Sequence, residues 1–267
     1  MGEEILRMED IDKSFPGVHA LDHVHFDLKR GEVHALMGEN GAGKSTLMKV
    51  LTGIYSKDSG RILYQGQEVE FHNTRDAQAA GIVIVHQELN MVNHLSVAQN
   101  IFIGREPMKH GMIDDRKMIE DSRVLFKLLG IDIDPQANMG SLTVGKQQMC
   151  EIAKAISHDA QIIIFDEPSA ALTEAEIKQL FKIIADLRQK NLGIIYISHR
   201  MDEIKVITDR VTVMRDGCYV GTLITQDCTK DDIVKMMVGR VIYEQPKTQS
   251  RVPPDAPVVL EVKNLRS

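Results

Sequence analysis

The chain has 267 residues, 43% of them apolar and 26% charged, which is the composition of a globular protein with a substantial core. Its net charge of -6 and its lack of tryptophan argue against broad nucleic-acid binding, so we expect no nucleic-acid partner. No apolar run of ~18 residues predicts a membrane span, and the acidic first residues do not resemble a signal peptide. Cys150, Cys218 and Cys228 are scattered and lack metal-ligand spacing, so we expect reduced thiols in a cytoplasmic protein.

Three short β patterns open the chain, over residues 5–11, 24–28 and 33–37, and they predict a small antiparallel or mixed sheet. The third is followed by Gly38, Glu39, Asn40, Gly41, Ala42, Gly43, Lys44, Ser45 and Thr46, and then by a predicted helix over 45–54. These nine residues fulfil the phosphate-loop pattern G-x-x-x-x-G-K-[ST] between a strand and a helix. The alternative is a glycine-rich turn that only connects the two elements.

The chemistry of this loop follows from its residue types. Glycines let the backbone fold tightly and direct its N–H groups at a polyphosphate, and the helix N-terminus adds favourable partial charge. Lys44 would reach the β- and γ-phosphates, and Ser45 would hold Mg²⁺. We therefore predict that residues 38–46 bind ATP.

The middle of the chain changes in character. Residues 60–69 predict a hairpin and residues 82–85 a buried strand. Between residues 96 and 156 helical patterns dominate, as in segment 116–129, which carries apolar residues at helical spacing. This region is predicted to be an inserted α-helical subdomain.

Strands and helices then alternate: strands over 161–166, 193–198 and 210–215, and helices over 174–190 and 201–208. This order predicts a mostly parallel sheet with helices on both faces. Ligands of such sheets bind at the carboxyl ends of the strands, where the phosphate loop also lies.

The C-terminal region contains a linker pattern and an echo of the first strand. Residues 244–257 are polar with three prolines, which predicts a linker. Residues 259–267 repeat the apolar spacing of residues 5–14. Either a generic amphipathic strand matches by chance, or a second copy of the domain begins here. The predicted organisation is one domain over 1–243, a linker over 244–257 and the first strand of a second domain over 258–267.

A second motif predicts hydrolysis. The apolar run 162–165 precedes Asp166 and Glu167 and has the form of a Walker B element. Asp166 would accept hydrogen bonds from the Mg²⁺ shell, and Glu167 would polarise an attacking water. Adjacent acids after a strand are otherwise often a helix cap.

A third motif indicates a family. The segment Leu142, Thr143, Val144, Gly145 and Lys146, followed by two glutamines, resembles the LSGGQ signature of ABC-type ATPases. Phe15, Gln87, residues 170–173 and His199 also fall in that family's order. The resemblance covers essentially the whole chain and implies an ABC-type P-loop NTPase fold, with an antiparallel β subdomain and a helical subdomain around a mostly parallel core.

The finer resemblance is to the ATP-binding subunits of simple-sugar importers for ribose, xylose and galactosides. It lies in the strings KSFPGVHALD, MGENGAGKSTLMK, VHQELN, QQMCEIAKAIS, YISHRMDEI and MMVGR. Those subunits hold two ABC domains in one chain, which implies that this chain is an N-terminal half. The implied partners are the second ABC domain, membrane permease subunits and, indirectly, an extracytoplasmic sugar-binding protein, with the subunit at the cytoplasmic face of the membrane.

In the mechanism that the resemblance implies, two ABC domains close head to tail over two ATP molecules. Each ATP contacts the phosphate loop of one domain and the signature of the other, here residues 142–146. Phe15 would offer a face to adenine, Gln87 would bind Mg²⁺ or water, and His199 would position the attacking water. The implied catalytic residues are thus Glu167, His199 and Gln87, and the implied Mg²⁺ ligands are Ser45, Gln87 and Asp166.

Three positions depart from the family pattern. Val144 replaces a glycine, Lys146 replaces a glutamine, and Thr173 replaces the usual aspartate after Walker B. We therefore expect a tandem protein with one competent site, formed by this half's Walker motifs and the other half's signature, and one weak site. We expect the isolated chain to bind ATP but to hydrolyse little of it.

Two other functions fit parts of the pattern. A nucleoside importer of the same tandem type is one, because no residue of this subunit would touch the solute. A soluble ABC protein acting on ribosomes or DNA is the other, although the chain lacks the long charged linkers and basic stripe of such proteins.

Overall fold

A computed structural model describes residues 2–87, 89–239 and 263. In chain order the elements are β1 (Glu4–Phe15), β2 (Val18–Lys29), β3 (Val33–Met37), α1 (Lys44–Leu51), β4 (Ser59–Tyr64), β5 (Gln67–Val69), α2 (Thr74–Ala79), β6 (Ile82–Val85), α3 (Val97–Phe102), β7 (Met108–Lys109), β8 (Met112–Ile113), α4 (Asp115–Leu129), α5 (Val144–Ile156), β9 (Ile162–Asp166), α6 (Glu174–Gln189), β10 (Gly193–Ile197), α7 (Met201–Ile207), β11 (Arg210–Arg215), β12 (Cys218–Ile224) and α8 (Lys230–Val238). A 3-10 turn, Met139–Ser141, precedes α5.

Ten strands form one sheet in the order β5-β4-β1-β2-β12-β11-β3-β10-β9-β6. The block β11-β3-β10-β9-β6 is parallel throughout, and the block β5-β4-β1-β2 is antiparallel. Strand β12 connects the blocks: it pairs antiparallel with β11 and pairs parallel with β2 at one position, Cys218 opposite Asp22. The predicted antiparallel β region and mostly parallel core are therefore both confirmed.

Helices cover both faces of the parallel block, as predicted. Strand residues alternate between two apolar clusters: Ile163 and Phe165 pack on one side, Ile162 and Ile164 on the other. The first cluster contains side chains of α4 to α8, and the second contains those of α1 and of β1 and β2. Burial on both faces explains why these strands are mostly apolar in the sequence.

Several predicted bounds were wrong. The first two β patterns are parts of twelve-residue strands, because β1 pairs with β2 on one side and β4 on the other. The helix predicted over 45–54 ends at Leu51, since Gly53 has φ +73° and a Cβ there would lie 2.7 Å from the Phe71 carbonyl oxygen. The sequence analysis missed α2, the β7–β8 hairpin, β12 and α8.

Helices α3, α4 and α5 fill the stretch predicted to be a helical subdomain, with the small β7–β8 hairpin inserted between α3 and α4. The predicted linker and second-domain strand lie outside the described residues, apart from Lys263. Among the described helices, none combines the length and the apolar character needed to cross a bilayer.

Candidate functional site

The phosphate loop lies at the carboxyl end of β3, between the fully buried strand and α1. Its conformation requires glycine at two positions. Gly43 has φ +95°, and a Cβ there would lie 2.8 Å from the Ala20 carbonyl oxygen. A Cβ on Gly38 would lie 2.4 Å from the Met214 carbonyl oxygen. The loop is thus packed against the backbone of β2 and β11, and any side chain at these positions would displace it.

Helix α1 begins without a side-chain cap, since its N-cap residue is Gly43 and its first turn holds no acid. Helices α2 to α6 and α8 each begin at a residue whose side chain accepts a backbone N–H. The first N–H groups of α1 therefore have no side-chain cap and are left for another acceptor at the positive end of the helix dipole. This is the environment that favours a phosphate group.

Lys44 lies across the loop. Its ammonium donates to the carbonyl oxygens of Gly38, at 2.8 Å, and Glu39, at 3.0 Å. Burial lowers the pKa of Lys44, and the nearby carboxylates of Glu167 and Asp166 partly oppose that shift. A polyphosphate in the loop would add negative charge beside this half-buried cation and so favour its charged form.

Asp166 at the end of β9 faces Ser45 at the start of α1, with Ser45 Oγ donating to Asp166 Oδ2 at 3.5 Å. Burial and then the neighbouring Glu167 carboxylate raise the pKa of Asp166. The Ser45 hydroxyl and the Asp166 carboxylate both offer oxygen atoms, which are the ligands that Mg²⁺ prefers. The residues present therefore fit a divalent cation held between Ser45 and Asp166.

Glu167 and His199 meet beside this pair. Glu167 Oε2 lies 2.9 Å from His199 Nδ1, with the carboxylate mostly buried and the imidazole 69% exposed. The Glu167 N–H donates to the Ile197 carbonyl oxygen at 3.0 Å, which joins the ends of β9 and β10. Glu167 also has φ +49°, a left-handed conformation that costs a non-glycine residue free energy and that often marks functional positions.

Gln87 and Phe15 lie at the edges of this group. Gln87 is exposed two residues after β6, whose Val85 pairs with Phe165 of β9, so it follows the strand next to the Asp166 strand. Phe15 ends β1, with its ring 5.0 Å from the Tyr55 ring and 5.6 Å from Lys13 Nζ. Among the described residues, no hydrogen bond or ion pair joins Gln87 or Phe15 to residues 38–46.

The signature residues lie apart from the loop. Thr143 caps α5, Val144 is 55% exposed at its first position, and Lys146 is also exposed. Gly145 is buried, and a Cβ there would lie 2.6 Å from Glu176 Oε2. That same carboxylate oxygen accepts from the backbone N–H and the hydroxyl of Thr173 at 2.8 Å each. Among the described residues, no hydrogen bond joins residues 142–146 to the phosphate loop, as expected of a segment that faces outward.

The sequence analysis missed two side chains of this region. Tyr55 packs on the Phe15 ring and also lies 5.5 Å from Lys49 Nζ. Glu203 is buried at the start of α7 and bonds residues on both sides of the Glu167–His199 contact. For Tyr55 the sequence signal is an aromatic residue soon after α1, and for Glu203 it is an acid in the first turn of a short helix. Neither signal is specific.

The profile of the ABC transporter family matches residues 21–170. That range includes the phosphate loop, the signature and both Walker B acids, and it exceeds half of the chain. The chain belongs to the ABC transporter family.

Full-length relatives place this ABC domain more finely. It is 56% identical over 266 residues to an ATP-binding protein of Burkholderia lata named for ribose/galactose/methyl galactoside import, covering 98% of this chain and 51% of that protein. A protein of Halalkalibacterium halodurans with the same kind of name is 49% identical over 271 residues, covering 99% of this chain and 51% of the relative. The chain thus spans about half the length of the curated relatives it matches.

The fold also matches solved ABC structures. An ATP-binding cassette of an ABC transporter, solved in its ADP conformation, superposes with a TM-score of 0.77 at 25% identity, covering 89% of this chain and all of that one. This likeness supports the predicted ABC fold.

Proposed function

We propose that this ABC domain binds ATP and Mg²⁺ and, closed against a second ABC domain, hydrolyses ATP to energise simple-sugar import at the cytoplasmic face of the membrane. The observation that carries the proposal is one edge of the sheet, where the uncapped phosphate loop, Ser45, Asp166 and the Glu167–His199 pair come together. Phosphoryl transfer to water requires a loop that binds the phosphates, ligands for the cation, and a general base, here next to a histidine.

The nucleotide would be held by residues 38–46, with their N–H groups and Lys44 on its phosphates. Phe15 and Tyr55 form an edge-to-face aromatic pair at the end of β1, and Phe15 offers a ring for adenine. Ser45 and Asp166, with Gln87 from the neighbouring strand end, would hold Mg²⁺. When bound, the cation supplies positive charge to the phosphate oxygens.

Glu167 is placed to polarise the attacking water, since its carboxylate is mostly buried and next to the cation ligand Asp166. His199 would accept or donate a hydrogen bond at the γ-phosphate while its Nδ1 contacts Glu167. Because His199 is exposed in this domain alone, a second domain closing over it would exclude water and strengthen these interactions.

The second domain is proposed from the length of the relatives and from the outward position of the signature. Residues 142–146 form a helix N-terminus with Val144 exposed, suited to contact a nucleotide held by another domain. Val144 and Lys146 depart from the usual signature, so we infer that this half contributes weakly to the opposite site. The competent site would combine this half's Walker residues with the partner's signature.

Sugar import is proposed from the relatives, two of which are named for ribose, galactose and methyl galactoside import. The domain would act on a membrane permease, with a separate binding protein delivering the sugar. Uptake of labelled ribose and galactose into proteoliposomes, with a nucleoside as the comparison solute, tests this assignment. Uptake of the nucleoside alone would contradict it.

ATP hydrolysis is tested with the full-length protein carrying Glu167→Gln. We expect turnover to fall about a hundredfold while ATP binding persists, because the general base is lost and the phosphate loop is intact. Glu174→Gln, an exposed acid in the first turn of α6, is the matched control and should leave turnover unchanged. Near-normal turnover in Glu167→Gln would contradict the proposed single competent site.

A further inference from the structure

Glu203 is a buried carboxylate that the proposed mechanism does not use. It lies in the first turn of α7 and is 4% exposed. Its Oε2 accepts from Ser169 Oγ at 2.8 Å, from Tyr196 Oη at 2.8 Å and from Ser198 Oγ at 3.2 Å. Its Oε1 makes no hydrogen bond of good geometry but forms an ion pair with Arg200 Nη1 at 2.8 Å. One carboxylate thus gathers three hydroxyls and a guanidinium.

These partners lie on both sides of the Glu167–His199 contact. Ser169 follows Glu167 by two positions, in the loop between β9 and α6. Ser198 and Arg200 directly flank His199, and Ser198 Oγ also accepts the Arg200 N–H at 3.0 Å. Glu203 therefore ties the loop that carries Glu167 to the loop that carries His199.

Hydrogen bonds to the buried Glu203 carboxylate are suited to fixing the orientation of the two loops. A buried carboxylate is costly unless hydrogen bonds satisfy it, whereas apolar packing would stabilise the same volume at least as well. Hydrogen bonds are directional, so a charged acceptor with several donors fixes the relative angle of the attached loops. Burial, together with the Glu203 carboxylate, raises the pKa of Tyr196, so its hydroxyl remains a donor to Glu203.

We propose that Glu203 is a positioning residue that sets His199 against Glu167 for ATP hydrolysis. The inference rests on the proposed function, since it assigns Glu203 to the geometry of that site. Glu203 touches neither nucleotide nor water in this proposal and acts only through the relative placement of His199 and Glu167.

The test is a double-mutant cycle on ATP hydrolysis by the full-length protein, comparing wild type, Glu203→Gln, His199→Ala and the double variant. We expect Glu203→Gln to lower kcat about tenfold with KM little changed, because a misplaced group loses rate more than binding. The double variant should be no slower than His199→Ala. A merely structural role would instead multiply the two losses.

Two further measurements keep the test decisive. Ser198→Ala and Ser169→Ala each remove one bond to Glu203, and each should lower kcat less than Glu203→Gln does and have no effect in the His199→Ala background. Glu32→Gln is the matched control: Glu32 is a buried carboxylate paired with Arg210 just before β3, at the edge of the sheet opposite the site. It should lower the melting temperature and leave kcat unchanged.

The outcomes separate this inference from the proposed function. Two results would overturn only the role of Glu203. In the first, kcat falls in His199→Ala but is normal in Glu203→Gln. In the second, the two single losses multiply in the double variant. Normal turnover in His199→Ala would remove His199 from the proposed mechanism and overturn this inference with it, whereas the proposed function would fail only if the wild-type full-length protein did not hydrolyse ATP. If Glu203→Gln does not fold, the two serine variants decide between the same outcomes.

Discussion

His199 Nδ1 lies 2.9 Å from Glu167 Oε2, and the two residues reach this contact from the ends of neighbouring strands, β10 and β9. The register of these two strands explains the contact. Ile197 of β10 pairs with Asp166 of β9 in the parallel ladder, so the residues that follow the two strands lie side by side. The pair then stands next to Ser45 and Asp166, which places an acid and a histidine beside the proposed cation.

Replacing His199 by alanine should lower ATP turnover of the full-length protein about a hundredfold, because the proposed hydrogen bond of His199 at the water and γ-phosphate would be lost. His72→Ala, an exposed histidine between β5 and α2, is the control and should be active. Steady-state phosphate release measures both. Equal turnover of the two variants would remove His199 from the proposed mechanism.

Lys44→Ala should weaken ATP binding by this chain at least about tenfold, since its ammonium lies within the loop that is proposed to hold the phosphates. Titration of a fluorescent ATP analogue measures the affinity. Lys178→Ala, at an exposed position of α6, should bind as the wild type does. Tight binding by Lys44→Ala would mean that the loop does not hold the phosphates.

Gly43→Ala should destabilise the domain by about 1–3 kcal/mol, because a positive φ and a clash with the Ala20 carbonyl oxygen act together. Gly66→Ala is the matched comparison: its φ is +77°, and its Cβ would meet no atom within 4 Å. Only the conformational cost of about 1 kcal/mol applies there. Urea unfolding should therefore rank Gly66→Ala as the milder change, and the reverse order would contradict the described loop packing.

Restoring the usual signature with Val144→Gly and Lys146→Gln should raise ATP hydrolysis by the isolated chain and make it depend on protein concentration. The physical reason is that two copies could then complete each other's sites. Val144 is exposed, so little core packing is lost. Val124→Ala on the exposed face of α4 is the control and should leave hydrolysis low. Brisk hydrolysis by the unaltered chain would contradict the weak signature.

The folded domain should lose stability as the pH falls from about 6.5 towards 4, and His34 accounts for part of the loss. Burial lowers the pKa of His34 to about 4. Its Nδ1 donates to the Asp27 carbonyl oxygen, and its Nε2 accepts from Thr212 Oγ1, so the ring is held in its neutral form. Because the folded pKa lies below the unfolded value, the unfolded chain binds the proton first.

The contribution of His34 to the free energy of unfolding is therefore fully present above its unfolded pKa. It falls between about pH 6.5 and pH 4, by roughly 3 kcal/mol in all. Denaturant unfolding at several pH values should show the slope, and His34→Gln should reduce it. Burial also lowers the pKa of His158 to about 4, so His158→Gln should remove a further part. A slope unchanged in both variants would contradict this assignment.

Local patterns were sufficient for much of the fold and for the identity of the loop. The strands over 33–37, 82–85 and 210–215 have the bounds that the sequence predicts, because short, mostly apolar runs bounded by glycine or polar residues match strands buried on both faces. The pattern that identifies the phosphate loop is also local, since its glycines, lysine and serine all lie within nine residues. The tandem organisation, the linker and the site roles remain predictions.

The tertiary structure decided what depends on pairing between distant segments. The sequence could not show that β1 extends to Phe15, because its length is set by β2 and β4, nor that the Phe15 ring meets Tyr55. It also could not show that Glu203 is buried, since an acid in a helix's first turn is ordinarily exposed. The sequence determined which groups are available for the proposed ATP chemistry; the sheet register decided which of them meet, because neighbouring strand ends bring remote residues to one edge.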